Sequence, residues 1–320
     1  MSGQQKFPFS EGVDGEPQRR DRRGSRAASK DKPFHIPRLV NSAPLYLKGE
    51  LGSVLPQNFN FKKSLGQNFI SDTNLLKAIV SDAGVDENSC VLEIGAGAGT
   101  LTAELGKVAK QVVAVEVDNA LIPLLNSKFA GSNVTVVHAD ILKLSAETIK
   151  SWFNGAFKVV ANLPYYITSP ILFKLIEDNL NIESITVMVQ KEVAERVTAK
   201  PGTKNYGGIT VQLDYRGKTQ YLRTVPRTVF KPPPNVDSAV IKFTPEPNKY
   251  NVLDIDIMDK TIKAAFAMRR KTLVNNLCAA FGFDRSKAEE LLVACGLNIQ
   301  VRGEVLTTTQ FVELANKIPP

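Results

Sequence analysis

The chain has 320 residues, 43% of them hydrophobic, enough for one large or two ordinary domains with a sizeable core. Its net charge of +8 and pI of about 9.3 favour a polyanionic partner. Three scattered cysteines (Cys90, Cys278, Cys295) and two histidines (His35, His138) exclude a disulfide frame and a Cys/His metal cluster, and no apolar run approaches the roughly 18 residues of a membrane span.

Residues 1–35 are polar, with Arg19, Arg20, Arg22, Arg23 and Arg26 among interspersed acids. This composition predicts a disordered basic tail. It lacks the apolar core of a secretory signal, and its acids count against a transit peptide. A reducing, cytoplasmic location is expected. Residues 36–60, with Pro37, Pro44 and Pro56, read as an ordered arm with a short helix. The turn Gly66-Gln67-Asn68 then offers amide groups to a ligand. An amphipathic helix over about 72–83 follows, with Leu75, Leu76, Ile79 and Val80 on one face and Asp72 or Ser71 as its cap.

Cys90-Val91-Leu92-Glu93-Ile94 reads as a strand, Gly95-Ala96-Gly97-Ala98-Gly99-Thr100 as a turn, and about 100–108 as a helix. This is the opening unit of a nucleotide-binding α/β domain. Gly95 and Gly97 let the backbone approach a ligand closely. Thr100 stands where the dinucleotide fingerprint needs glycine, which argues for a nucleoside-type ligand without a pyrophosphate. The second strand, Val112–Glu116, ends in an acid able to accept from ribose hydroxyls. A helix over about 118–129 leads to the third strand, 134–140. Its terminal Asp140 reads either as an acceptor for an adenine amine or as a helix cap. His138 reads as a strand residue.

The fourth strand, Phe157–Ala161, is stopped by Asn162-Leu163-Pro164-Tyr165, because Pro164 cannot donate to a sheet ladder. That leaves an amide, backbone carbonyls and an aromatic ring at the carboxyl edge of the sheet, where ligands bind. An amide oxygen and a carbonyl can each accept one hydrogen of an exocyclic amine, and Tyr165 can stack on a planar base. The alternative is a plain proline-terminated turn. Helices over 169–178 and 192–198, a strand over 185–189, a loop over 201–208 and strands near 219–224 and 237–244 complete this part. The rigid, proline-rich loop 230–238 is expected to present Phe230. Residues 196–242 hold nine Lys/Arg against two acids, a net of +7, as an RNA binder requires.

From about 255 the sequence turns helical. Ile262, Ala265, Phe266, Leu273 and Leu277 form one apolar face beside Arg269-Arg270-Lys271, and helices follow at 285–295 and 309–317. The expected division is 61–250 for the larger domain and 251–320 for a helical RNA-binding domain.

These motifs, in this order, resemble the small-subunit ribosomal RNA adenine N6,N6-dimethyltransferases of the kasugamycin-sensitivity type. Lys63-Ser64-Leu65-Gly66-Gln67-Asn68-Phe69, Glu93-Ile94-Gly95-Ala96-Gly97-Ala98-Gly99, Asn162-Leu163-Pro164-Tyr165, 230–238 and Ala267-Met268-Arg269-Arg270-Lys271 all fit. The family often has proline where this chain has Ala96. The resemblance implies an α/β, Rossmann-like S-adenosylmethionine-dependent methyltransferase domain with a small all-helical C-terminal domain. It implies cofactor contacts at Asn68, Ile70, Gly95, Glu116, Asp140 and Asn162, in addition to Gln67 and Gly97 noted above. It implies dimethylation of two adjacent adenosines in the 3′-terminal helix of small-subunit (16S) RNA, within a pre-30S particle, by a monomer. Catalysis would fall to Asn162, the carbonyl of Leu163 or Pro164, and the rings of Tyr165 and Phe230. The competing readings are a large-subunit adenine methyltransferase of the macrolide-resistance type and a nonenzymatic assembly factor on the same fold.

Overall fold

The computed structural model describes residues 67–70 and 72–319. The expected tail and arm, and the motif residues Lys63 to Gly66, lie outside these. The elements run β1 (Phe69–Ile70), α1 (Thr73–Ala83), β2 (Cys90–Ile94), α2 (Thr100–Gly106), β3 (Gln111–Glu116), α3 (Ile122–Lys128), β4 (Val134–His138), α4 (Ala146–Lys150) and β5 (Phe157–Asn162). Next come α5 (Thr168–Glu177), β6 (Ile182–Gln190), α6 (Lys191–Val197), α7 (Gly208–Arg216), β7 (Gly217–Val225), β8 (Phe230–Lys231) and β9 (Ser238–Pro245). Four helices finish the chain: α8 (Ile255–Ala267), α9 (Leu273–Phe281), α10 (Arg285–Ala294) and α11 (Thr308–Lys317).

Among the described residues the main sheet has seven strands in the order β4-β3-β2-β5-β6-β9-β7. The pairings from β4 to β6 are parallel, and β9 is antiparallel to both β6 and β7. Parallel strands are covered on both faces and therefore read as continuous apolar runs. Val91, Leu92, Val112, Val113, Val159 and Val160 accordingly have no solvent exposure. The chain order reverses between β2 and β5, so the carboxyl ends of these neighbours form the switch-point crevice. That places Gly95 and Asn162 at one spot.

Helix α1 shows how local chemistry sets an element. Asp72 Oδ1 accepts from the backbone N–H of Asn74 and Leu75, and Gly84 ends the helix at φ 65°. Between them Leu76, Ile79, Val80 and Ala83 face the core.

A second core joins Ile262, Leu277, Leu292 and Phe311 of the last helices with Tyr206, Val211 and Tyr215. A division at residue 250 would leave these last three side chains on the other side of the boundary. The stretch after the loop at 201–208, to which the sequence pattern assigns no element, is a helix, α7, whose interior includes polar Thr210 and Gln212, so its pattern is not amphipathic. One expectation is corrected here. The single apolar face expected through Leu273 and Leu277 is broken over 268–272, between α8 and α9. Asn276, buried in α9, donates Nδ2 to the carbonyls of Ala265 and Met268 and so terminates α8.

Candidate active site

Gly97 and Gly99 are at φ 58° and 70°, where a side chain is strained. Space also requires them. A Cβ on Gly97 would lie 2.6 Å from Phe69 Cε1, and one on Gly99 2.8 Å from Phe129 Cε2. The turn is held from two sides. Glu116, at the end of β3, accepts from Gly97 N at 2.7 Å through Oε2 and from Val117 N and Asp118 N at 2.9 and 2.8 Å through Oε1. From α3, Lys128 Nζ donates to the carbonyls of Ala98 and Gly99 at 3.1 and 2.8 Å.

Beneath this turn sits Glu93, 1% exposed. Burial pushes its carboxyl up to about 8, while burial brings the Lys128 ammonium down to about 8. Burial thus favours the neutral form of both groups.

Across the crevice, Asn162 Nδ2 lies 3.0 Å from the carbonyl oxygen of Asn68. A carbonyl pairs only with the NH2 end of an amide, so the flip is settled and Oδ1 is left to accept. Leu163 N donates to Met188 O at 3.1 Å, anchoring the motif to β6. The Pro164 carbonyl accepts from Ile167 N at 3.2 Å and Thr168 Oγ1 at 3.1 Å. Both its lone pairs are thus engaged, which leaves the Leu163 carbonyl as the acceptor that can serve a ligand. The Tyr165 hydroxyl meets Ser238 Oγ at 2.6 Å, and burial raises its pKa. This bond fixes the ring at the mouth of the cleft.

The cleft is lined by Gln67, Asn68, Phe69, Gly95, Gly97, Glu116, Val117, Asn162, Leu163, Pro164, Tyr165, Tyr166 and Ile167. The structure therefore brings together Gln67, Asn68, Gly95, Gly97, Glu116 and the whole Asn162–Tyr165 motif. Three expected residues stand apart from this lining. Phe230 is 1% exposed, because β8 pairs with β1 and turns the ring into the core instead of presenting it as a stacking surface. Ile70, its partner in that pairing, is 2% exposed. Asp140 uses Oδ1 to cap the following turn through Leu142 N, the helix-cap alternative.

Tyr166, 55% exposed, is a lining ring that sequence reasoning passed over, although it adjoins Tyr165. Lys128 was also missed, since a lysine on a surface helix carries no local signal.

The residues suit an S-adenosylmethionine nucleoside. The Gly95–Gly97 backbone leaves room beside it, and Glu116 retains one of its roughly four acceptor sites. The open volume is about 80 Å³, narrowed by the Gln67–Phe69 segment, which Gln67 ties to Asp118 Oδ2 at 2.7 Å.

Much of the basic charge is internally engaged. Arg216 pairs with Asp259 at 2.8 Å, Arg223 with Asp82 at 2.7 Å, and Lys242 Nζ donates to Asp82 O at 3.1 Å. Arg269 reaches the Tyr206 carbonyl at 3.3 Å and Glu304 at 3.2 Å. Exposed Lys200, Lys204, Lys218, Lys231, Arg270 and Lys271 have no charge partner among the described residues.

The family described as ribosomal RNA adenine dimethylase matches residues 58–318. The Bacillus cereus protein named ribosomal RNA small subunit methyltransferase A is 45% identical over 271 residues, covering 81% of this chain and 92% of that protein. A solved dimethyladenosine transferase from Plasmodium falciparum superposes with a TM-score of 0.66 at 28% identity, over 77% of this chain and 95% of that one. The 23S rRNA methyltransferase ErmE superposes with 0.60 at 27% identity, over 78% and 98%. A glycine turn, an acid-anchored second strand and the Asn162–Tyr165 edge thus stand in a chain that belongs to the ribosomal RNA adenine dimethylase family.

Proposed function

We propose that this protein dimethylates N6 of two adjacent adenosines in the 3′-terminal helix of small-subunit ribosomal RNA. The methyl donor is S-adenosylmethionine, which when bound supplies an electrophilic methyl group on a sulfonium. The observation that carries the reading is the pair of acceptors, Asn162 Oδ1 and the Leu163 carbonyl, beside the Tyr165 ring. An adenine amine is a weak nucleophile because its lone pair is delocalised into the ring. One hydrogen held by each acceptor favours a pyramidal nitrogen with its lone pair aimed at the methyl group. Catalysis is positioning and electrostatics, without a dedicated general base. Tyr165 stacks on the base, which must leave the RNA stack to reach the cleft.

Gln67, Asn68, Gly95, Gly97 and Glu116 would hold the cofactor. Asp140 and Ile70 remain proposed contacts, reached only if the adjoining loops shift. The unpartnered basic residues supply the phosphate contacts. A pre-30S particle is the proposed substrate, a monomer the acting form and the bacterial cytoplasm the location. The 45% identity to small-subunit enzymes favours this over the large-subunit alternative.

The test is transfer of labelled methyl groups to isolated ribosomal subunits, mapped by primer extension. Stops at adjacent adenosines near the 3′ end of small-subunit RNA are expected. Label confined to large-subunit RNA, or no transfer, would overturn the reading.

A further inference from the structure

A second cavity, of about 460 Å³, opens at the carboxyl end of β6, between α6 and the loop before β9. Ser238 links it to the first cleft. Its hydroxyl meets that of Tyr165, and its backbone pairs with Gln190, which lines the second cavity. Two neighbouring nucleotides of one strand could therefore be served by adjacent sites.

The lining indicates what fits. Lys191 and Arg227 are cationic, yet Glu192, Glu195 and Asp237 also line the cavity. Asp237 is committed to the loop: Oδ1 accepts from Arg227 N at 3.0 Å, and its carbonyl accepts from Lys191 N at 3.0 Å. Glu192 pairs with Arg196 at 2.7 Å. With carboxylates so close, the site does not suit a free phosphate. A nucleoside with an exocyclic amine suits it better. The side-chain amides of Gln190 and Asn235 have no hydrogen-bond partner among the described residues, and such amides pair bidentately with adenine N6 and N7. Val236, 46% exposed, offers an apolar contact for the base. Arg227 Nη1 donates to the Asn235 backbone carbonyl at 3.4 Å, which ties the loop that carries that amide.

We propose that this cavity holds the adenosine next to the target, read by Gln190 and Asn235, while the target occupies the Asn162–Tyr165 cleft. The inference rests on the function proposed above. Gln190 and Asn235 would then set specificity for a pair of adenosines over a single one.

The test uses the full chain and small-subunit particles reconstituted with purine riboside, which lacks the exocyclic amine, beside the target adenosine. Single-turnover methylation by the unaltered protein should slow about tenfold when the neighbour loses its amine, within the range for one base contact. Asn235→Ala should slow transfer to natural RNA by a similar factor and then be indifferent to the neighbour. Gln190→Ala provides an independent second variant, and thermal melts verify folding of both. If variants and unaltered protein are equally sensitive to the amine on either side of the target, the inference fails while the proposed activity stands. If the unaltered protein transfers no methyl group to natural particles, the proposed activity itself has failed.

Discussion

Asn162 donates its amide Nδ2 to the backbone carbonyl of Asn68 at 3.0 Å, so the segment just before β1 orients the amide proposed to meet the substrate.

Asn162→Ala removes one of the two proposed amine acceptors. Single-turnover transfer at saturating cofactor should fall about 10²–10³-fold, as for loss of one preorganised hydrogen-bonding group. Asn162→Asp should also fail, since a carboxylate cannot donate to Asn68 O. Calorimetry reads cofactor affinity separately. Wild-type transfer rates by folded, saturated Asn162→Ala would refute the mechanism.

Glu116→Ala should weaken the fold as well as the cofactor site. The carboxylate accepts three backbone N–H groups, and each buried donor left unpaired costs about 1–3 kcal/mol. Urea unfolding should therefore show a clear loss, of about 2–4 kcal/mol after local relaxation and hydration. Unchanged stability with weakened cofactor binding would mean that the ribose contact alone matters.

Arg270 and Lys271 should behave differently from Arg269. Arg270→Ala or Lys271→Ala should each reduce the salt slope of RNA affinity by about one, with little change in melting temperature. Arg269→Ala should lower the melting temperature, because its guanidinium ties the 204–206 loop to Glu304. Filter binding across a salt series, beside thermal melts, separates the two behaviours.

The Glu93 carboxyl is raised by burial from 4.5 to about 8. Between those values the folded state holds a proton that the unfolded state releases, so this group's contribution to stability falls as pH rises from about 4.5 to about 8. Lys128, lowered by burial, acts in the opposite sense above about 8. Glu93→Gln should therefore gain stability relative to the unaltered protein as pH rises from 5 toward 8 (~3 pH units). Denaturant midpoints at several pH values test the sign.

The parallel part of the sheet was legible because both-face burial writes itself as unbroken apolar runs such as Val112–Val115. The Asn162–Tyr165 edge was legible because a proline stops a strand at a known place. Helix α7 was not, since Thr210 and Gln212 face inward and the preceding glycines read as a loop. The break before Leu273 was hidden because its cause, Asn276 capping α8, lies eight residues beyond Met268. Phe230 misled for a similar reason: nothing local reveals that its strand pairs with Phe69–Ile70, some 160 residues earlier. Of the two carbonyls left open in the motif, only the structure could choose, by showing Pro164 O already taken.

That occupied carbonyl has a consequence for the order of events on a single base. An unmodified amine brings two hydrogens to two acceptors, a one-to-one match. After the first methyl group is added, one hydrogen remains for the same two acceptors, and Pro164 O cannot relieve the mismatch. Either Asn162 Oδ1 or the Leu163 carbonyl must then face a methyl group with no donor to satisfy it. On the proposed mechanism the two methylations of one adenosine are thus chemically unequal events in this cleft, and the second proceeds from a less well-held base.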